Sequence, residues 1–249
     1  MGRIIQCSTL GKKGHFGNQL FQYIFCKTYA EETRSVLEIP KDWIGRLIFE
    51  EAEKEEKIKK SLINFPEEDL LELGNYGITN IDIVGFFQHP MFYKRISLTK
   101  CREWLKVKSK WEIKFRKKKP YYIALHLRRG DFLTQHWSYP VIQEGNYLRE
   151  LYERGYDPND AIWISDACPN LDSECSSLGI PFLPDFMELI NADVLFRGPS
   201  TFSFWAGVIG CNKMYSPSAD FPNYGRVGFI NDVEFKLGLG PFKEGIFKP

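Results

Sequence analysis

Histidine, two arginines and an aspartate stand together at His126-Leu127-Arg128-Arg129-Gly130-Asp131, directly after the apolar run 121–125. A guanidinium pairs bidentately with phosphate oxygens, so two in succession suit a diphosphate. His126 can donate to a phosphate oxygen, and Asp131 can orient an arginine or accept a ligand hydroxyl. Alternation along a strand turns His126 and Arg128 to one face and Leu127 and Arg129 to the other, if the strand runs that far. An ordinary strand end with surface ion pairs would use the same residues.

Two further segments carry polar groups where a helix begins. In Gly14-His15-Phe16-Gly17-Asn18-Gln19 the glycines permit a tight turn. Free N–H groups at a helix start then favour an anion or polar ligand. The spacing is not that of the dinucleotide fingerprint, and the Lys-Ser/Thr of a P-loop is missing. Plain helix capping by Asn18 is the alternative. Ser200-Thr201-Phe202-Ser203-Phe204-Trp205 begins with hydroxyls that can cap a helix and stand at its positive end.

These segments need elements to hold them. Residues 3–8 read as a strand, followed by the glycine turn and a helix with Leu20, Phe21, Ile24 and Phe25 on its apolar positions. Strands are expected at 36–40 and 81–87, and a solvated helix at 50–60. The run 106–119, rich in lysine and arginine, precedes Pro120. It suggests a boundary there, giving an N-terminal half 1–119 and a C-terminal half 120–249. In the second half, strands are expected at 121–127, 161–167, 178–184 and 193–198. Helices are expected at 185–192 and 200–212, a last strand at 213–217, and an irregular tail after 224. Alternating strands and helices predict an α/β fold with mainly parallel sheets.

Composition narrows the class. The 249 residues are 43% hydrophobic and 15% aromatic, which is ample for a core. A formal net charge of +1 gives no whole-chain basic field for nucleic acid. No run of 18 apolar residues occurs, so no transmembrane segment is expected. The N-terminus lacks the apolar core of a signal peptide, and there is no Asn-x-Ser/Thr sequon. The six cysteines contain no Cys-x-x-Cys pair, which argues against zinc and for buried free thiols. A cytoplasmic protein is expected, and the oligomeric state is left open.

Taken in order, the motifs resemble the alpha-1,2-fucosyltransferase family of inverting glycosyltransferases. The residues that carry the resemblance are Phe16-Gly17-Asn18-Gln19-Leu20-Phe21-Gln22-Tyr23, the segment 85–93, His126 to Phe132, Asn191-Ala192-Asp193 and Ser200 to Trp205. It spans residues 11–211. Pro199 and Phe204 depart from the family pattern, which has Asn and Trp there.

The resemblance implies a GT-B fold of two facing Rossmann-like halves and a GDP-fucose donor lying mainly on the second. It implies catalytic roles for Arg128, His126 and Asp131. Donor contacts would come from Arg129, Gly17, Asn18, Ser200, Thr201 and Phe202. Asp166 is a ribose or base contact or a loop carboxylate, and His15, His136 and Trp137 are acceptor candidates. A glycan acceptor is implied, with the GDP-sugar as substrate rather than cofactor. No Asp-x-Asp occurs, so no metal is expected. The departures keep open another GDP-deoxyhexose, such as GDP-rhamnose, or a non-catalytic nucleotide- or glycan-binding module.

Overall fold

The computed structural model describes residues 2–73, 77–88, 92, 98–130, 133, 141–210, 213–217 and 229–231. They fall into two compact units, Met1–Lys108 and Ser109–Pro249. The division therefore comes inside the basic run, ahead of residue 119. Residues after Lys108 are held by the second unit. Lys114 Nζ lies 2.8 Å from Asp172 Oδ1 and 2.7 Å from Glu174 Oε2, and the Phe115 carbonyl accepts from Asn191 at 2.8 Å.

The first unit is a five-stranded parallel sheet. Its strands are β1 (Ile4–Gln6), β2 (Val36–Ile39), β3 (Glu56–Lys57), β4 (Ile63–Pro66) and β5 (Ile81–Val84), in the order β3-β2-β1-β5-β4. The helix Phe16–Glu32 crosses from β1 to β2, and Leu20, Phe21, Ile24 and Phe25 are all buried on it. Phe25 stacks on Phe87 at 4.3 Å, tying that helix to the segment after β5.

The helix expected over 50–60 stops at Lys54, and Glu56–Lys57 joins the sheet instead. Arg46 is the reason. Its buried guanidinium donates to the carbonyls of Ile39, Pro40, Ala52, Glu53, Glu55 and Glu56. It takes up the carbonyls that a helix end leaves open and turns the chain onto the edge of β2. The strand Ile63–Pro66 escapes a pattern reading because only four residues pair and Ile63 faces solvent.

The second unit has β6 (Ile123–Leu127), β7 (Ala161–Ser165), β8 (Val194–Phe196), β9 (Lys213–Pro217) and β10 (Phe229–Asn231), in the order β10-β9-β8-β6-β7. All neighbours pair parallel except β10, which runs antiparallel to β9. Strand β6 is buried along its whole length, as an interior parallel strand should be. Leu125, Leu127, Tyr147, Leu151 and Phe196 pack one side of it.

Two expectations change here. Residues 178–184 are no strand. Gly179, at φ +74°, closes the short helix Ser173–Ser177, with its N–H donating to the Ser176 carbonyl. Pro184 then sits in the first turn of the helix Leu183–Asn191, where no N–H is needed. The tail is not wholly irregular either, since Phe229–Asn231 pairs with β9.

Cys7, Cys26, Cys101 and Cys175 are buried free thiols, whereas Cys168 is exposed. Cys211 lies outside the described residues. Among the described residues, no helix is long and apolar enough to cross a membrane.

Replacing Arg46 by methionine should strand several buried carbonyls and cost about 3 kcal/mol or more. Urea unfolding of Arg46→Met reads this directly. A midpoint equal to that of the wild type would refute the role given to Arg46.

Candidate functional site

In the second unit the chain leaves β6 for β7 on one side, then returns to β8 on the other side. The carboxyl ends of β6 and β8 thus flank a topological switch point, where parallel α/β sheets hold their ligands. His126 to Gly130 end one wall. Arg197 to Ser200 end the other.

Asp166, just beyond β7, organises the loop after β6. Its Oδ1 accepts the N–H of Arg129 at 2.7 Å and of Gly130 at 3.1 Å. Its Oδ2 takes the Arg128 guanidinium. A Cβ on Gly130 would stand 2.6 Å from Asp166 Oδ2, so the approach requires glycine. With these bonds Asp166 serves as a loop carboxylate.

The strand ends at Leu127, and with it the alternation that would pair Arg128 with His126. Asp166, not strand phase, aims Arg128. Arg129 turns elsewhere, donating to the Ile142 carbonyl at 2.8 Å with Glu144 4.0 Å away.

His126 is buried against the helix Thr201–Ile209, its ring 6.0 Å from that of Phe202. Its Nδ1 has no hydrogen-bond partner among the described residues. Burial pushes its pKa down to about 3; Asp166 opposes this, while Arg128 and Arg197 add to it. The ring is therefore neutral near pH 7. It can donate one N–H to a ligand but brings no charge.

Ser200 caps the helix Thr201–Ile209, its Oγ accepting the Phe202 N–H at 3.2 Å. Thr201 and Phe202 are partly exposed, with Phe202 held 4.9 Å from the Phe186 ring. Phe204 and Trp205 are core.

Arg197 was not among the residues picked out by motif, yet it is fully buried at the end of β8. Its Nε donates to Ser216 Oγ at 2.6 Å and its Nη1 to the Gly198 carbonyl at 3.2 Å. The signal was present. A single arginine closes the apolar stretch 194–196 just as Arg128 and Arg129 close β6.

The first unit has its own switch point, between β1 and β5. Gly14, at φ +74°, makes the turn, and a Cβ there would lie 2.6 Å from Asn18 Nδ2. The helix begins at Phe16, so the cap position belongs to His15 rather than Asn18. His15 is exposed, its side chain makes no capping bond, and its carbonyl accepts the Asn18 N–H at 2.9 Å. Asn18 Oδ1 instead accepts from Gln88 at 2.9 Å. Gly17 is buried within the first helical turn. Asp131, His136 and Trp137 lie outside the described residues. Among the described residues, no cluster of three or more His, Cys, Asp or Glu is placed to hold a metal ion.

Solved structures share this architecture. The chain is similar to fucosyltransferase NodZ from Bradyrhizobium, with a TM-score of 0.59 and 14% identity over 93% of this chain and 99% of that one. It is similar also to NodZ alpha-1,6-fucosyltransferase soaked with GDP-fucose, with a TM-score of 0.55 and 16% identity over the same shares of the two chains. A third similar structure is the NodZ enzyme co-crystallised with GDP, at a TM-score of 0.53 and 16% identity. The likeness establishes the fold, α/β with two mainly parallel sheets. No protein-family model matches the sequence, and no curated protein matches it.

The depressed pKa of His126 has a consequence for stability. In the unfolded chain the ring takes up a proton below about pH 6.5; in the folded chain it does so only near 3. The contribution of the neutral ring is fully present above the unfolded value and is lost as pH falls through that interval. His126→Phe keeps the buried ring and removes the titration. Its urea midpoint should fall less than that of the wild type between about pH 7 and about pH 4.5. Equal losses in the two proteins would contradict the assignment.

Proposed function

We propose that this chain is a glycosyltransferase that moves L-fucose from GDP-fucose to a hydroxyl of a glycan acceptor. We propose further that it works with inversion, without a divalent metal, and in the cytoplasm. One observation carries the reading. The switch point of the second unit brings Arg128 to the start of the helix Thr201–Ile209, with the buried charge of Arg197 behind it and Arg129 turned to the Ile142 carbonyl beside it, a set suited to a departing diphosphate. The likeness of fold to a fucosyltransferase soaked with GDP-fucose supports the choice of donor.

The chemistry follows from charge. As the bond between the anomeric carbon and the phosphate oxygen breaks, the carbon gains positive character, as in glycoside cleavage. The electron pair stays on the diphosphate, which leaves as GDP. Positioned donors must meet that charge as it develops. In this reading Arg128 meets the phosphates, oriented by Asp166. Arg129 secures the loop through the Ile142 carbonyl and adds its field. Neutral His126 donates a single hydrogen bond, and Ser200, Thr201 and Phe202 flank the nucleotide.

Inversion requires the acceptor hydroxyl to attack from the face opposite the leaving group and to give up its proton. Asp131, His15 and a residue of the N-terminal half are the candidate bases. His136 and Trp137 remain acceptor candidates, and Gly17 and Asn18 donor candidates from the first unit. Fucosyl transfer is proposed as the reaction class; the linkage is read from the product.

GDP should raise the melting temperature of the protein and UDP should not. Arg128→Ala should abolish that rise, at a cost of about 1.5–3 kcal/mol of binding for a lost charge-assisted hydrogen bond. Turnover of GDP-fucose should persist in EDTA. Stabilisation by UDP alone would overturn the donor, and loss of turnover in EDTA would overturn metal independence. GDP binding without turnover against any glycan acceptor would favour the binding module.

A further inference from the structure

We infer that Arg197 is a positioning residue for the arginine-lined crevice, acting through the backbone turn that starts the helix Thr201–Ile209. Only its consequence for ligand binding rests on the donor reading above. Arg197 follows β8 directly, and its relative exposure is 0%. Its Nη1 donates to the Gly198 carbonyl at 3.2 Å, and that carbonyl also accepts the Ser200 N–H at 2.8 Å. Ser200 in turn caps the helix through Phe202, and its carbonyl accepts the Phe204 N–H at 3.1 Å. Guanidinium, turn, cap and first helical turn therefore form one chain of bonds.

The same guanidinium is fixed from behind. Ser216, on β9, accepts from Nε at 2.6 Å, and the Phe204 ring centroid lies 5.8 Å from the guanidinium carbon. Gly198 is pressed against the other wall of the crevice. A Cβ there would stand 2.9 Å from the His126 carbonyl oxygen and 3.2 Å from His126 Nδ1. Any shift of Gly198 would move the cap against His126. The ladder fixes the spacing of β6 and β8, and Arg197 fixes the Gly198 turn that lies against His126 beyond it.

The geometry needs arginine in particular. A planar fork can serve Ser216 on one side and Gly198 on the other at once, whereas a lysine ammonium is a single point. Its charge also lies in a low-dielectric interior, where it reaches further than a surface charge would. The crevice can feel that field without Arg197 touching a ligand.

Three variants test this: Arg197→Lys, Arg197→Met and Ser216→Ala. Amide hydrogen exchange in the ligand-free protein reads the positioning itself. The N–H groups of Ser200 and Phe202 should exchange about tenfold faster or more in each variant, while those of β6 keep their wild-type rates. Calorimetry with GDP reads the consequence, with binding about tenfold weaker in both Arg197 variants. The donor KM should rise with kcat changed less, as for a lost uniform-binding contribution.

Ser216→Ala keeps the arginine and carries the test should either Arg197 variant fail to fold. Unchanged exchange at Ser200 and Phe202 in Ser216→Ala and Arg197→Lys would overturn the positioning role. GDP affinity retained by Arg197→Lys but lost by Arg197→Met would overturn the fork argument, because charge alone would then suffice. A wild type that binds no GDP would sink the donor reading, and hydrogen exchange would still decide the positioning role.

Discussion

The carboxylate of Asp166, between two backbone N–H groups and a guanidinium, is the contact on which the candidate site depends. A loop leaving the end of a parallel strand has no ladder to hold it. Here the Asp166 carboxylate supplies that hold together with the Arg129 bond to the Ile142 carbonyl, and the geometry is closed by a glycine that lets the carboxylate approach. Charge-assisted hydrogen bonds are about twice as strong as neutral ones, so these few bonds can hold a segment this short. Arg128 is aimed as a result. Without the clamp it would be a flexible side chain on a flexible loop, and its entropy would oppose any ordered contact with a ligand.

The charge in this region is arranged rather than accumulated. The whole chain carries a formal net charge of only +1. Three arginines nonetheless converge on two adjacent strand ends, with Asp166 on one and Glu144 near another. His126 stands among them neutral, because burial and the nearby guanidinium groups disfavour a further proton. A bound diphosphate would therefore meet fixed cations and one neutral donor. Such preorganised groups need not rotate into place as charge develops, which is what makes electrostatic stabilisation effective.

Much of this was legible in the sequence, and the reasons for the exceptions are physical. Long periodic or apolar stretches declared themselves: the helix Phe16–Glu32, strand β6 and the helix Thr201–Ile209 lie where their patterns put them. The failures came where a distant side chain decides. Arg46 ends a helix that local charge pairing would have continued. The helix Leu183–Asn191 takes residues that read as a strand, because Gly179 and Pro184 act as punctuation rather than as members of an extended run. Arg128 loses its expected phase because Asp166, 38 residues later, captures it. Arg197 escapes a sequence reading for a related reason. One arginine in a sequence has no pattern, and only the fold shows that it is buried beside the others.

The two units reach the same device independently. After β5, the Glu67 carboxylate accepts the N–H groups of Phe86 and Phe87, and a Cβ on Gly85 would run into it. After β6, Asp166 accepts the N–H groups of Arg129 and Gly130, and a Cβ on Gly130 would run into it. In both, a carboxylate and a glycine clamp the loop at a switch point. What the clamp presents differs. In the first unit Phe87 is forced to φ +53° and buried against Phe25, leaving Phe86 half-exposed and Gln88 bonded to Asn18. In the second it presents guanidinium groups. One surface thus offers an aromatic face and amides, chemistry suited to sugar hydroxyls and rings, while the other offers fixed positive charge. Each unit thus builds a different surface on the same backbone solution, a carboxylate and a glycine closing the loop at the end of a parallel strand.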